Sequence, residues 1–312
     1  MNNIISVKNC TEQRGFSESG VLMREYIIIT DSCADLDPVM ISKLKVEVIP
    51  MNFILDGKSY ANWPDGRELS FIDFYKQLRE GGMSSTSQLN TAELTDFFRG
   101  YLENEIDLLY IGLSSGLSGS VVSAAAAADE LMAEYPESKV RVIDSLSASL
   151  GEGLMVFYAS QLKKQGKTID ETTEWIEKHR LNFAHWFTVD DLNFLRRGGR
   201  LSGTVALLGT MLGIKPILHV DDEGHLINVF KARGRKNSLD MLVDRIEKTA
   251  VDPNDQTIFI SHGDCLKDAE YTADEIKRRL KAKEIYINYI GPIIGSHSGP
   301  GTVAVFCFAS GR

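Results

Sequence analysis

The chain has 312 residues, 43% hydrophobic and 25% charged, enough to bury one large core or two smaller ones in a soluble globular protein. A net charge of -9 excludes a general nucleic-acid or anionic-membrane partner, since both need a basic footprint; membrane contact is transient at most. Four cysteines (Cys10, Cys33, Cys265, Cys307) lack CxxC or Cys/His ligand spacing, which excludes a zinc site and a disulfide framework and fits a reducing, cytoplasmic setting.

Residues 1–24 carry Glu12, Arg14, Glu18 and Arg24 and no signal-peptide apolar region, so they read as a poorly ordered extension. Nowhere does an apolar run reach the length of about 18 that a membrane span needs. Tyr26 to Thr30 is a continuous β-branched run ending at Asp31-Ser32, the pattern of a strand buried on both faces. Similar runs follow at Val46 to Leu55, Asp107 to Leu113 and Val140 to Ile143. Helical patterns lie between them at Phe71 to Arg79, Thr91 to Glu103 and Ser118 to Tyr135. Alternation of strand and helix predicts a mostly parallel sheet with flanking helices over residues 25–182. Ser147 to Lys164 and Asp170 to Arg180 read as two further helices. Beyond them strand patterns recur at His185 to Val189, Ile214 to Val220, Leu226 to Lys231, Thr257 to Ser261, Ile285 to Ile290 and Thr302 to Ala309, with a hairpin signal at Asp221 to Gly224. A second α/β domain with a mixed sheet is therefore expected over 183–312.

Three stretches carry the chemistry: Ser84 to Gln88, Gly112 to Ser120 and Gly295 to Thr302. They offer hydroxyls, backbone N–H groups and one imidazole, with no lysine or arginine among them. That inventory suits a carboxylate or carbonyl better than a phosphate, and neither serine loop has the lysine of a P-loop. Asn90-Thr91-Ala92-Glu93 forms a capping box, and Ser118 can cap the alanine-rich helix that follows it. Both loops would then lie at strand C-terminal ends, where open α/β sheets bind ligands and helix starts favour negative charge. Asp31 and Ser32 could line the same cleft or cap the following helix. An enzymatic alternative exists, because Gly112-Leu113-Ser114-Ser115-Gly116 satisfies G-x-S-x-G, with Asp264 and His297 downstream in the chain order of an α/β-hydrolase. Against it, Gly116 to Gly119 intervenes before the helix, whereas a nucleophile elbow enters its helix at once.

As a set, Ile29-Thr30-Asp31-Ser32 with Ala34-Asp35-Leu36, Thr86-Ser87-Gln88, Leu113 to Gly119, Val189 to Leu192 with Leu195 to Gly203, Lys215-Pro216-Ile217-Leu218 and His297 to Thr302 resemble the bacterial DegV proteins, which include the fatty-acid-binding subunits of fatty acid kinase. The segments occur in the family's order and span nearly everything after the tail. One departure is Leu89, where the family usually places proline after Thr-Ser-Gln.

The resemblance implies a two-domain α/β fold holding a long-chain fatty acid between its domains, with no catalytic residue, cofactor or metal of its own. It also implies a partner kinase that phosphorylates the bound acid to an acyl phosphate. Thr86, Ser87, Ser115 and Ser118 are then expected to bind the carboxylate with His297, whose alternative is a structural role in a glycine-rich turn. The basic groups Arg196, Arg197, Arg200 and Lys231, Arg233, Arg235, Lys236 stand out in an acidic chain. Solvated surface is the default for such runs; the resemblance points to Arg200 and Arg233 as contacts to the kinase.

Overall fold

The protein is seen in a computed structural model that describes residues 24–201 and 213–312. The expected extension, apart from Arg24, and the end of the Leu195 to Gly203 segment lie outside the described residues.

Strands β1 (Tyr26–Asp31), β2 (Val46–Ile49), β3 (Asn52–Leu55), β4 (Lys58–Ala61), β5 (Ser84–Thr86), β6 (Asp107–Gly112) and β7 (Val140–Asp144) come first. Helices α1 (Pro38–Leu44), α2 (Phe71–Arg79), α3 (Thr91–Leu102), α4 (Ser120–Glu134), α5 (Leu150–Lys164) and α6 (Ile169–His179) accompany them. Then follow β8 (Phe183–Thr188), α7 (Asn193–Arg197), β9 (Ile214–Val220), β10 (Leu226–Arg233), α8 (Arg235–Thr249), β11 (Thr257–His262), α9 (Leu266–Leu280), β12 (Glu284–Tyr289), α10 (Pro292–Ser298) and β13 (Val303–Phe308).

The first sheet, in the order β2-β1-β6-β7, is wholly parallel. β1 and β6 are its inner strands, and every residue of β6 is buried, which is why both read as unbroken apolar runs. The sheet at the other end, β10-β9-β8-β13-β11-β12, is mixed: β11 and β12 are parallel and the remaining pairs antiparallel. The Asp221 to Gly224 signal does join β9 to β10 as a hairpin. The fold is thus the expected mixed α/β architecture.

A third sheet, β4-β3-β5, was not expected. Val46 to Leu55 reads as one strand, yet Pro50 has no N–H to extend a ladder, and the chain ends β2 before it and starts β3 after it in another sheet. Short, serine-rich β5 pairs with β3 through Phe53 and Thr86. A second difference is α10: Pro292 opens a helix where the sequence suggested only an apolar run into a glycine-rich turn.

Helix α5 lies between the two large sheets, touching β1 and β6 on one side and β8, β11 and β13 on the other. Leu150, Leu154, Met155 and Val156 are each wholly buried there, in a cluster that joins Ile28 and Leu109 of the first sheet to Phe183, Phe259 and Phe306 of the second. Each such side chain contributes about 1.5–3 kcal/mol by burial. A cavity opens beside this shared core.

Candidate functional site

A cavity of about 250 Å³ lies where β5, the loop after β6, α10 and the inner face of the six-stranded sheet meet. Polar side chains gather at one end. Thr86 ends β5 and its Oγ1 is 2.8 Å from Nε2 of His297 in α10. Ser84 Oγ is 2.6 Å from Ser296 Oγ, a second tie between the same two elements. On the other side of the loop, Gln88 Oε1 accepts from Gly119 N–H at 3.2 Å and Leu89 N–H donates to Ser120 Oγ at 3.1 Å. A proline at 89 has no N–H and could not make that bond, so Leu89 replaces ring rigidity with a hydrogen bond.

His297 Nδ1 has no partner and faces Gly198, where a Cβ would overlap the ring. Burial, with help from the Arg200 charge, pushes its pKa down to about 4, so the imidazole is neutral at physiological pH. Arg200 reaches the site through a chain reversal. After α7, Gly199 takes φ 68, a left-handed conformation that costs a residue with a Cβ more than glycine, and Arg200 N–H returns to Leu195 O at 3.2 Å. The turn leaves Arg196 and Arg197 exposed and carries Arg200 to the cavity wall, where Nε donates to Leu117 O at 3.1 Å and Nη1 donates to Gly198 O. A cation fixed beside a neutral imidazole and hydroxyls suits an anion by charge and by donors. Ser298 completes this end: it is 5% exposed, lines the cavity, and its Oγ has no partner.

Away from that end the wall is mostly apolar, with Leu113, Phe187, Val220, Leu226, Ile293 and Phe306 among the lining residues. Ser149 also lines it, bonded to Asp35 Oδ2 at 2.6 Å and Ser261 Oγ at 2.9 Å. Asp35 Oδ1 accepts from Gly291 N–H at 2.8 Å, and burial pushes its carboxyl pKa up to about 8. A protonated Asp35 can donate to Ser149 and free the Ser149 hydrogen for Ser261, so the chain is satisfied without an unpaired buried charge.

The structure brings Thr86, Ser87, Ser118 and His297 together on the cavity and leaves Ser115 apart: it is exposed, does not line the cavity, and uses its N–H on Asp144 Oδ1 at 3.1 Å. Ser118 does not cap α4; Gly119 is the N-cap and makes no side-chain bond, while Ser118 Oγ accepts from Ser120 N–H at 3.3 Å. Asp31 caps the turn after β1, accepting from Cys33 N–H at 2.9 Å, and Ser32 Oγ accepts from Met51 N–H at 3.0 Å, so the capping alternative holds for the aspartate and neither residue lines the cavity. Arg200 stands at the cavity rather than on open surface, whereas Arg233 is exposed at the end of edge strand β10. Arg235 is committed elsewhere, bonded to Asp268 Oδ2 at 2.8 Å and Gly301 O at 2.7 Å.

The hydrolase alternative is corrected by the same geometry. Ser114 is wholly buried, its Oγ donating to Gly224 O at 2.9 Å and accepting from Gly116 N–H at 3.1 Å. His297 bonds Thr86 and not Ser114, and Asp264 is paired with Arg79. A triad needs serine to histidine and histidine to carboxylate contacts, and neither is present.

Sequence reading missed Gln88, Ser149, His185 and Ser298 as lining residues. Gln88 and Ser298 sit inside stretches already singled out, so extending the serine-and-glycine criterion by one residue would have found them. His185 and Ser149 lie in an apolar strand and at a helix start, with no local mark. Among the described residues no group of three His, Cys, Asp or Glu could hold a metal ion, and no helix is long and apolar enough to cross a membrane.

Comparison with known proteins agrees with this fold. The DegV family model matches residues 26–310. A DegV domain-containing protein of Clostridium perfringens is 46% identical over 284 residues, covering 91% of this chain and 97% of that protein. A DegV family protein from Thermus thermophilus, described for its fatty acid binding, superposes with a TM-score of 0.81 at 30% identity, over 92% of this chain and 100% of that one. One from Ruminococcus gnavus, solved with vaccenic acid, gives a TM-score of 0.80 at 25% identity over 91% and 99%. With its family model, its relatives and its mixed α/β architecture in agreement, this chain belongs to the DegV family.

Proposed function

We propose that this chain is a cytoplasmic carrier of a long-chain fatty acid, without catalysis of its own, that presents the carboxylate to a partner kinase for acyl-phosphate formation. The observation that carries the reading is the division of one cavity into an apolar body and an end that gathers Thr86, Ser118, Arg200, His297 and the unpartnered Ser298. An acyl chain gains about 0.8 kcal/mol per buried methylene, so the tail supplies the affinity. The head group then has to avoid the cost of burying an unpaired carboxylate, which Arg200 and the hydroxyls offset. Fatty acid binding by the Thermus thermophilus and Bacillus subtilis relatives supports the ligand class.

Ser87 and Gln88 line the cavity yet are exposed, so the polar end lies under the protein surface where a second protein can reach the carboxylate. Arg233, exposed on β10, is assigned to that partner; Arg200 is assigned to the head group instead. Ser115 is dropped from the carboxylate set because it stands off the cavity.

Native mass spectrometry of protein purified without added lipid, followed by organic extraction, tests the carrier reading. A stoichiometric long-chain fatty acid is expected. Protein from lipid-replete cells that carries none, and that neither binds added oleate nor gains thermal stability from it, rejects the proposal.

A further inference from the structure

His185 lies in the apolar half of the cavity, where a carboxylate-holding role gives it nothing to do. It sits inside β8, wholly buried, and lines the cavity beside Phe187, Val220, Leu226, Ala304 and Phe306. Its Nε2 is 2.7 Å from Ser147 Oγ, while Nδ1 has no partner. Room for the ring is built in: Gly151 faces it, and a Cβ there would overlap both the imidazole and Ser147 Oγ. Burial holds the ring's pKa well below the ordinary histidine value, so it is a neutral group with one unpartnered nitrogen.

Strand register gives the depth. Thr302, which lines the cavity next to the polar end, immediately precedes β13, and Phe306 pairs with His185. Four residues of strand at about 3.3 Å each put the imidazole roughly 13 Å from Thr302. At C–C bonds of about 1.5 Å, that is the reach of about ten carbons of an extended acyl chain.

Resting on the fatty acid reading above, we propose that His185 pairs with a hydroxyl near the middle of the acyl chain, which makes mid-chain hydroxy fatty acids a ligand class of this cavity. A hydroxyl both donates and accepts, so it satisfies Nδ1 in either tautomer. A methylene leaves that nitrogen empty. Without His185 a hydroxyl buried among Phe187, Val220 and Phe306 would lose its hydrogen bonds to water and gain none.

The test measures dissociation constants of the delipidated full chain for octadecanoic acid and for the same acid bearing a hydroxyl on its tenth or twelfth carbon. The wild type is expected to bind at least one hydroxy acid within about tenfold of the plain acid, and His185→Phe to weaken that hydroxy acid by about tenfold or more relative to the plain one. A wild type that binds both hydroxy acids more than about tenfold weaker than the plain acid overturns the proposal, as does a His185→Phe protein that loses both ligands equally. Should His185→Phe not fold, the imidazole nitrogen resonances of the wild type decide: Nδ1 must move with the hydroxy acid and not with the plain acid, and identical spectra reject the pairing. If the plain acid binds and the hydroxy acids do not, the carrier reading stands and this inference falls; if neither binds, both fall.

Discussion

Thr86 Oγ1 and His297 Nε2 lie 2.8 Å apart, so one hydrogen bond joins β5 of the small sheet to α10 across 211 positions of the sequence. The bond fixes which imidazole nitrogen faces Thr86 and which faces Gly198. It also places a donor-rich pair at the polar end of the cavity, beside the Arg200 guanidinium.

Replacing Thr86 by valine keeps the shape and removes the hydroxyl. Fatty acid affinity should fall by about 1.5 to 3 kcal/mol, less if water substitutes, because a charge-assisted bond is lost while tail burial persists. Ser115→Ala, exposed and off the cavity, should bind as the wild type does. Isothermal titration with oleate separates the two; equal losses would place Ser115 back in the head-group set.

Arg200 supplies the fixed positive charge of the site and helps to depress the His297 pKa. In Arg200→Gln the His297 titration, followed by NMR on ligand-free protein, should therefore move upward from about 4. Fatty acid binding should weaken in the same variant. An unchanged titration would mean that burial alone sets the imidazole, and unchanged affinity would return Arg200 to a surface role.

Arg233→Ala should leave lipid binding near normal and lower the rate of acyl-phosphate formation with the cognate kinase, most visibly at low salt, where unscreened charge steers encounter. Loss of lipid binding in a folded Arg233→Ala protein is the outcome that contradicts its assignment to the partner.

Asp35 has a folded-state pKa of about 8 against an ordinary value of 3.8, so between these limits the folded protein keeps a proton that the unfolded chain releases. Its contribution is fully present below the lower value and is lost as pH rises through the higher one. Asp35→Asn, which keeps a donor toward Ser149 and an acceptor for Gly291 N–H, should match the wild type within about 1 kcal/mol below pH 4 and be the more stable protein at neutral pH. It should also abolish the part of the wild-type decline between pH 4 and 8 that this group causes. Urea unfolding at several pH values measures this, and parallel curves for the two proteins would show that Asp35 is ionised in the fold.

Several features were fixed locally and so were readable in the sequence. The β1 and β6 runs are apolar throughout because both faces of an inner parallel strand are covered, and Asn90 with Glu93 forms the expected capping box at α3. The serine and glycine content of the three polar stretches likewise marked segments that border the cavity. Tertiary structure decided the rest. Pro50 divides one apolar run between two sheets, because the missing N–H ends one ladder and the partner strands of the next come from residues 58–61 and 84–86. Arg200 and Arg197 share a basic group in sequence, but the left-handed turn at Gly199 sends only Arg200 to the cavity. Ser115 and Ser118 are three residues apart and were both expected at the carboxylate, yet only Ser118 lines the cavity. Which side of a turn a residue faces, and whether His185 in an apolar strand meets a cavity or close-packed core, depend on elements brought together from more than a hundred residues away, and no local pattern encodes that.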